Sequence, residues 1–279
     1  MTTEPTVPAD QETAAAFATS WNHLPAGSIY TREQFEDWLF PVTRPDIQGK
    51  TVLELGCGNG SLLVHMADWA PGFLGGVDLG DSVTSAQTNL ERLPFKNWRI
   101  TQADMIGFRS GQPYDFVYSI GVLHHLKDPK LGLDAVIANT RSGGCFHCWV
   151  YAEEGNGLII HLVDPIRKRV SRLPWWVTKY LVAAPLAWPY YLYAKTISRL
   201  PPRPFLKKLP LYEYSCWISR RDFAFFRHVA FDQLVTPQTA YISRRVIEQW
   251  LDSYDGLDKD SLYIIMRNGN SWKFGGRLK

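Results

Sequence analysis

A glycine-rich segment is the part of this 279-residue chain whose residue types and spacing point most directly to chemistry. It reads LELGCGNGS over residues 53–61, with glycines at positions 56, 58 and 60. Glycine lets the backbone turn sharply and approach a ligand closely, because no Cβ atom stands in the way. The segment lies between a buried apolar run and a helical pattern. A nucleotide cofactor is expected at such a strand-to-helix turn.

The spacing of this turn also bears on which cofactor it binds. The glycines follow G-x-G-x-G, and Ser61 stands where the dinucleotide fingerprint G-x-G-x-x-G requires glycine, which counts against NAD. Glu54 precedes the first glycine by two residues. A carboxylate on a buried strand is costly unless it has a charged or hydrogen-bonding partner. A cofactor that carries an ammonium group would supply that partner.

Two adjacent histidines, His124 and His125, are candidates for acid–base chemistry, because a neutral imidazole accepts a proton near physiological pH. We expect His125 to be the base if the reaction removes a proton early. The alternative is that one of the pair only packs or hydrogen-bonds within its loop. No metal site is expected, because a strand sends Cys145 and Cys148 to opposite faces and no second cysteine pair exists.

The elements that must position these residues alternate between strand and helix. Strands are predicted at 50–55, 74–79, 98–102, 114–120, 144–151, 261–267 and 271–274, and helices at 31–40, 61–69, 82–93, 131–139 and 243–251. This pattern predicts an α/β fold with a doubly wound, mostly parallel seven-stranded sheet and helices on both faces. Asn268-Gly269-Asn270 is a hairpin turn that makes the last strand antiparallel.

The alternation stops at residue 158, where a segment rich in tryptophan, tyrosine and proline begins. It predicts a helical insertion of short, broken helices after strand five. We therefore divide the chain into an N-terminal helical segment (1–45, with a helix near 12–20), a cofactor-binding core (46–157), the helical insertion (158–229) and a C-terminal helix and hairpin that complete the sheet (230–279).

The charge of the insertion is uneven. Residues 165–210 contain ten basic side chains and no acidic ones, although the whole chain has a formal net charge of only +3. We expect these side chains to face outward, toward phosphate, an anionic membrane surface or an acidic substrate; a merely solvated basic face is the alternative. Lys179, Pro185 and Pro189 disfavour a membrane span, which leaves an interfacial helix pair or a plain cap over the site.

The composition is that of a folded globular protein, with 46% hydrophobic and 20% charged residues. Four scattered cysteines are too few for a disulfide scaffold, which favours a reducing compartment. The N-terminal residues lack the basic and apolar regions of a secretory signal. These features predict residence in the cytoplasm, with peripheral attachment to a membrane left open.

Taken with these motifs, the sequence resembles the class I S-adenosylmethionine-dependent methyltransferases, in particular the small-molecule group similar to ubiquinone and menaquinone biosynthesis methyltransferases. LELGCGNGS is similar to the first motif of that family, whose loop surrounds the methionine part of the cofactor. The resemblance implies a Rossmann-like fold, S-adenosylmethionine as cofactor, and cofactor contacts by Glu54, Gly56, Cys57, Gly58, Asn59 and Gly60.

Three further segments match the family in order: GVDL from residue 76, QADM from residue 102 and SIGVLHHL from residue 119. The resemblance implies that Asp78, beside Leu79, binds the ribose hydroxyls. It also implies that Asp104 binds the adenine amino group and that Met105 packs on the ring. The third segment adds Ser119 and Ile120 to the predicted cofactor site.

The residues directly after strand four narrow the choice of acceptor. Amino-group methyltransferases that act on nucleobases or glutamine carry Asn- or Asp-Pro-Pro-Tyr there, whereas this chain has Ser-Ile-Gly-Val. Methyl transfer to oxygen, sulfur or carbon of a small or lipid-like acceptor is therefore expected, with Tyr30, Tyr151 and Tyr241 on the acceptor side. The insertion should cover this site, because the carboxyl end of strand five borders it.

Two other functions are alternatives to methyl transfer. One is an NAD-binding dehydrogenase, which Ser61 disfavours. The other is a binding module for a membrane surface or nucleic acid with a vestigial cofactor site, although the sequence contains no strong nucleic-acid signal. The sequence predicts no particular oligomeric state.

Overall fold

The computed structural model describes residues 30–279 except 172, 202 and 237, so the helix predicted near 12–20 lies outside the described residues. Seven strands form one sheet in the order β3-β2-β1-β4-β5-β7-β6. They are β1 Thr51–Leu55, β2 Phe73–Asp78, β3 Trp98–Gln102, β4 Tyr114–Ile120, β5 Thr140–Tyr151, β6 Leu257–Arg267 and β7 Ser271–Leu278. The first five pair in parallel, and β7 is antiparallel to both of its neighbours. The predicted fold class is confirmed.

Ten α-helices connect or cover the strands within the described residues. They are α1 Arg32–Leu39, α2 Arg44–Ile47, α3 Ser61–Ala67, α4 Val83–Glu91, α5 Pro129–Asn139, α6 Asp164–Val170, α7 Ala184–Ile197, α8 Tyr212–Ile218, α9 Phe223–Val235 and α10 Arg244–Asp252. Short 3₁₀ turns occur at Leu123–His125 and Leu206–Lys208, and π-helical turns at Ile159–Val163 and Val177–Ala183.

Local sequence accounts for where the core elements begin and end. Thr31 caps α1 through a reciprocal pair of hydrogen bonds with Gln34, which satisfies backbone donors that the first helical turn leaves open. Asp128 caps α5. The first residue of that helix is a proline, which is common at helix starts because its ring already has a helical φ angle. Predicted and observed boundaries differ most for β5, β6 and β7. Antiparallel pairing extends β6 and β7 beyond their apolar runs, and β5 begins earlier because Thr140 pairs in parallel with Tyr114 of β4.

Apolar side chains fill both faces of the sheet. One layer packs α1 and α3 against β1, with Phe35, Leu63 and Met66 buried. The other packs α5 and α10 against β4 and β5, with Val136 and Ile247 buried. Because both faces are covered, β1 and β4 carry nearly continuous apolar sequence, as parallel strands require.

The insertion forms a helical layer with small apolar clusters of its own. Ala187 and Ala194 of α7 pack with Phe226 of α9. Helix α7 continues past Pro189, so it is longer than the short helices that the sequence predicted. Helix α9 runs across the predicted boundary between residues 229 and 230. Within the described residues, none of the helices combines the length and apolar character needed to cross a bilayer.

One expectation about the insertion is wrong: not all of its basic side chains face outward. Arg167 is buried and forms an ion pair with Asp164 on the first turn of α6. Lys195 is half-buried and donates to the carbonyl oxygens of Ser219 and Arg221. The carboxylate one turn before Arg167, and the two carbonyl oxygens in the turn after α8, offset part of the desolvation of these cations.

Candidate functional site

A cavity of about 530 Å³ lies at the carboxyl ends of β1, β2 and β4. Its floor includes Glu54, Asp78 and Ile120, and its opposite wall comes from the helical insertion. Parallel strands present their carboxyl ends at one edge of the sheet, which is where α/β proteins bind ligands. The cavity therefore lies between the strands that carry the motifs and the helical insertion, which carries none of them.

The glycine-rich turn lies against the cavity and has a left-handed backbone conformation at Gly56 and Gly60, which residues with a Cβ atom rarely adopt. Gly56 has φ +82°, and a Cβ atom there would lie 2.3 Å from Cγ2 of Val122. Gly60 has φ +75°, and a Cβ atom there would lie 3.1 Å from Ala86 of α4. No larger side chain fits at Gly56 without displacing the loop after β4.

Asp78 at the end of β2 is held against this turn. Its Oδ2 accepts a hydrogen bond from the backbone N–H of Gly58 at 2.8 Å, and its Oδ1 accepts one from Gly80 at 2.9 Å. Burial raises the pKa of the carboxyl, while these backbone donors favour the ionised form. The carboxylate thus has a fixed position on the cavity wall.

Glu54 is 2% exposed and lines the same cavity. The hydroxyl of Tyr118 donates to its Oε2 at 3.0 Å. Burial raises the pKa of Glu54 to about 8, and the negative charge of Asp78 adds to the shift. A cationic group in the cavity would reverse this penalty, so the site fits a ligand with an ammonium group.

The remaining predicted cofactor residues divide into two groups. Asp104 and Met105 line the cavity after β3, and Asp104 Oδ1 accepts from the N–H of Ile106 at 3.0 Å. Ser119 lies behind the wall and donates to the carbonyl of Leu55 at 2.8 Å. The cavity wall includes Cys57, Gly58, Asn59, Leu79 and Ile120, but not Gly60 or Ser119.

His125 lines the cavity beside the loop after β4. Its Nδ1 lies 3.1 Å from the carbonyl oxygen of Gln238 and 3.1 Å from Oγ1 of Thr239. A carbonyl only accepts hydrogen bonds, so Nδ1 carries the proton and Nε2 carries the lone pair. Burial lowers the pKa of His125 to about 4, which keeps the imidazole neutral at neutral pH, with a free lone pair but weak basicity.

His124 is placed differently from its neighbour. It is fully buried, and its ring lies 4.1 Å from the ring of Tyr151 and 4.2 Å from that of His125, centroid to centroid. Neither ring nitrogen has a hydrogen-bond partner among the described residues. Burial holds the pKa of His124 well below its usual value. His124 therefore lies behind the cavity wall and does not line the cavity.

The three tyrosines predicted on the acceptor side all line the cavity. Tyr151 receives a hydrogen bond from Gln233 at 2.8 Å and stacks on Tyr241 at 6.1 Å. Tyr30 packs edge-on against Trp38 at 4.6 Å. Burial raises the pKa of all three hydroxyls, so they are neutral groups that can donate hydrogen bonds.

The structure adds wall residues that the motifs did not identify. His228 and Asp232, one turn apart on α9, both line the cavity, and Nε2 of His228 lies 3.2 Å from Oδ2 of Asp232. Their four-residue spacing is a signal for one helical face, but the sequence did not show which way that face points. Apolar wall residues come from the insertion: Leu158, Leu162, Ile166, Leu186, Tyr190 and Phe226.

Comparison with protein families gives one match over most of the chain. The family model described as "Methyltransferase domain" matches residues 28–209. This range contains the glycine-rich turn, Asp78, Asp104 and the adjacent pair His124 and His125.

Individual proteins are similar to the chain over different extents. A tRNA U34 carboxymethyltransferase of Pseudoalteromonas translucida is 30% identical over 109 residues, which is 39% of this chain and 34% of that protein. The chain spans about a third or less of the length of the first curated relatives that it matches.

Two solved structures share the fold over nearly the whole chain. Magnesium protoporphyrin IX methyltransferase (ChlM) of Synechocystis PCC 6803 with bound SAH has a TM-score of 0.53 and 12% identity, covering 96% of this chain and 97% of that one. The N-methyltransferase NodS of Bradyrhizobium japonicum WM9 has a TM-score of 0.50 and 12% identity, covering 94% and 98%. At this identity the likeness concerns the fold.

Proposed function

The chain belongs to the methyltransferase domain family, with S-adenosylmethionine as its cofactor, and we propose that it methylates an oxygen, sulfur or carbon atom of a small or lipid-like acceptor. One observation carries this proposal. A single cavity is lined on one side by the glycine-rich turn, Glu54 and Asp78, and on the other by apolar side chains of the insertion. Cofactor and acceptor can therefore meet in one cavity.

The cofactor side of the cavity is formed by groups of suitable chemistry. Asp78 would accept hydrogen bonds from the ribose hydroxyls, and Asp104 would accept one from the adenine amino group. Glu54 would pair with the ammonium group, while Gly56 and Gly58 leave room for the methionine part. When bound, S-adenosylmethionine supplies an electrophilic methyl group. The residues contribute by holding the acceptor in line with it, since orientation alone supplies about 7–11 kcal/mol in favourable cases.

The acceptor side favours an apolar molecule. Leu162, Ile166, Leu186 and Phe226 present hydrocarbon to the cavity. The hydroxyls of Tyr30, Tyr151 and Tyr241 are few and neutral, so they would orient one or two polar groups of the acceptor without favouring a highly charged molecule.

Acid–base chemistry has a stated candidate. His125 offers a neutral imidazole whose proton is directed to Gln238, so Nε2 would take a proton from an acceptor hydroxyl, thiol or activated carbon as the methyl group is transferred. Because burial lowers the pKa of His125 to about 4, the imidazolium would pass this proton on to solvent rather than keep it. The His228–Asp232 pair is a second base candidate, because Asp232 would stabilise the imidazolium.

The proposal implies that the enzyme acts in the cytoplasm. It would bind a lipid-like acceptor at a membrane surface and a small water-soluble acceptor in solution. No covalent intermediate with the protein is required by this arrangement.

Methyl transfer can be tested with the full chain. Calorimetry with S-adenosylhomocysteine is expected to show binding, and NAD is expected to show none. The protein is then incubated with methyl-labelled S-adenosylmethionine and a panel of apolar phenols, thiols, enolisable ketones and amines, and product mass is measured. Labelled phenol, thiol or ketone product supports the proposal. Label only on amines, or NAD binding in place of S-adenosylhomocysteine, would contradict it.

A further inference from the structure

Exposed apolar side chains are concentrated in the helical insertion. Of the fourteen exposed large apolar side chains among the described residues, twelve lie between residues 158 and 209. Scattered exposed leucines are normal in soluble proteins, but such a concentration marks a surface that meets something apolar. We call this group the docking surface: Leu158, Leu162, Leu173, Trp176, Tyr180, Leu181, Leu186, Trp188, Leu192, Leu200, Phe205 and Leu209.

Part of the docking surface follows helical geometry. Trp188 and Leu192 lie one turn apart on α7, and both side chains are about half exposed. Leu181, in the π-helical turn that leads into α7, is 63% exposed. The opposite face of α7 carries the small residues Ala187 and Ala194, which are buried against α9. Helix α7 thus has one face for the protein interior and another apolar face that, in the described chain, is about half exposed to solvent.

Exposed basic side chains occur in the same segment as these apolar ones. Lys168, Arg169, Arg199, Arg203, Lys207 and Lys208 are all exposed, and residues 165–210 contain no acidic residue. Trp and Tyr together with Lys and Arg are the side chains that proteins place in the headgroup region of a bilayer. An anionic leaflet attracts each nearby Lys or Arg, so the two kinds of contact would reinforce each other.

The cavity opens toward this same surface. Leu158, Leu162 and Leu186 belong to the docking surface and also line the cavity. An apolar molecule could pass from a bilayer over these side chains and reach the cofactor turn without crossing bulk water. Transfer of each buried methylene into water would cost about 0.8 kcal/mol, so a direct route matters for a lipid-like acceptor.

We propose that the docking surface binds an anionic membrane and that a lipid-embedded acceptor enters the cavity between Leu158, Leu162 and Leu186. This inference rests on the proposed function for the identity of the acceptor, but the binding itself does not require catalysis. A second copy of the chain is a poorer occupant, because a two-fold symmetric contact would place two sets of basic side chains face to face. Nucleic acid would use the charge but leave twelve apolar side chains unexplained.

The test is flotation of the full chain with large unilamellar vesicles, made of phosphatidylcholine alone or with 30% phosphatidylglycerol. Binding is expected to the anionic vesicles and to be much weaker with the neutral ones. A charge variant, Arg199→Gln/Lys207→Gln/Lys208→Gln, is expected to lower affinity about 100-fold, since each basic residue near an anionic surface contributes about fivefold. Lys50→Gln/Arg92→Gln/Arg99→Gln makes the same charge change on exposed residues of the core and is expected to bind like the parent.

A second variant tests the apolar part. Trp176→Gln/Leu181→Gln/Leu192→Gln removes three exposed side chains outside the cavity wall and is expected to lower vesicle affinity at least tenfold. Met266→Gln, at an exposed position of β6, is the control. Unchanged S-adenosylhomocysteine binding shows that each variant is folded.

The possible outcomes separate the two proposals. The docking surface is contradicted by a parent protein that does not float with anionic vesicles, by apolar variants that bind like the parent, or by a doubled mass in light scattering that the apolar variant abolishes. Binding of RNA without vesicle binding would likewise contradict it. Vesicle binding together with failure to bind S-adenosylhomocysteine would instead contradict the proposed methyl transfer and leave the docking surface intact.

Discussion

Asp78 at the end of β2 accepts a hydrogen bond from the backbone N–H of Gly58 in the turn after β1, at 2.8 Å. The two residues are twenty positions apart in sequence and meet because β1 and β2 pair in parallel, with Leu55 opposite Val77. One carboxylate thus both stabilises the glycine-rich turn and presents its remaining lone pairs to the cavity. Its removal should affect the turn and the ligand together.

Replacing Asp78 by alanine is expected to weaken S-adenosylhomocysteine binding by tenfold to several hundredfold. A hydrogen bond to a charged group contributes about 1.5–3 kcal/mol, and the variant loses those to the ligand as well as the bond that orders the turn. Isothermal titration calorimetry measures the change. Asp81→Ala, at an exposed carboxylate three residues on, is the control and should bind like the parent. Equal affinity in the Asp78 variant would remove this residue from the cofactor site.

The pH dependence of cofactor binding should report on Glu54. Its pKa in the free protein is about 8, so it is mostly protonated at pH 6, and an ammonium group beside it would favour loss of that proton. Affinity for S-adenosylhomocysteine should therefore rise between pH 6 and pH 8, by at most about tenfold per pH unit, with release of one proton. Calorimetry in buffers of different ionisation enthalpy counts that proton.

Glu54→Gln provides the comparison for this pH effect. Glutamine keeps the shape and a hydrogen-bonding group for Tyr118, but it does not titrate. Its affinity should be lower than that of the parent at pH 8 and nearly independent of pH. A variant that keeps the parent's pH slope would show that another group loses the proton.

The position of the glycine-rich turn and of the acidic residues at one end of the sheet was predictable because it depends on local sequence. A glycine-rich turn after a buried strand determines its own conformation, and the acidic residues at 78 and 104 follow from where the next strands end. The side-chain state of His125 was not predictable, because Gln238, more than a hundred residues later, determines which nitrogen carries the proton. The burial of Arg167 was not predictable either, since it depends on how α6 packs rather than on the charge of its segment.

The two base candidates can be separated by kinetics. His125→Ala is expected to lower kcat about 100-fold or more while leaving S-adenosylhomocysteine affinity within about threefold, because general base catalysis acts on the chemical step. His228→Ala is the matched variant on the opposite wall. If His228 is the base, the larger loss will occur there. Full activity in the His125 variant would reduce that residue to a packing role.

His147 links three parts of the fold through one neutral ring. Its Nε2 lies 2.8 Å from the carbonyl of Trp38, which can only accept, so Nε2 donates and Nδ1 accepts from the hydroxyl of Tyr263 at 2.6 Å. The ring is fully buried, and this burial lowers its pKa to about 4. Protonation of the folded protein would place an unsatisfied charge between β5, β6 and the end of α1.

Acid should therefore destabilise the parent through His147. The unfolded chain binds a proton near pH 6.5 and the folded chain only near pH 4, so this contribution to stability is complete above pH 6.5 and is lost as pH falls toward 4. Between pH 7 and pH 5 the loss is about 2 kcal/mol. His125 affects the pH dependence of stability in the same direction, and Glu54, whose pKa is raised, affects it in the opposite direction. The difference between parent and variant is therefore the quantity to measure.

In urea unfolding, His147→Leu should be less stable than the parent at pH 7, because two hydrogen bonds are lost, but should lose about 2 kcal/mol less on going to pH 5. His161→Gln, at an exposed histidine, should follow the parent. Parallel pH curves for the parent and the His147 variant would mean that His147 does not resist protonation in the folded state.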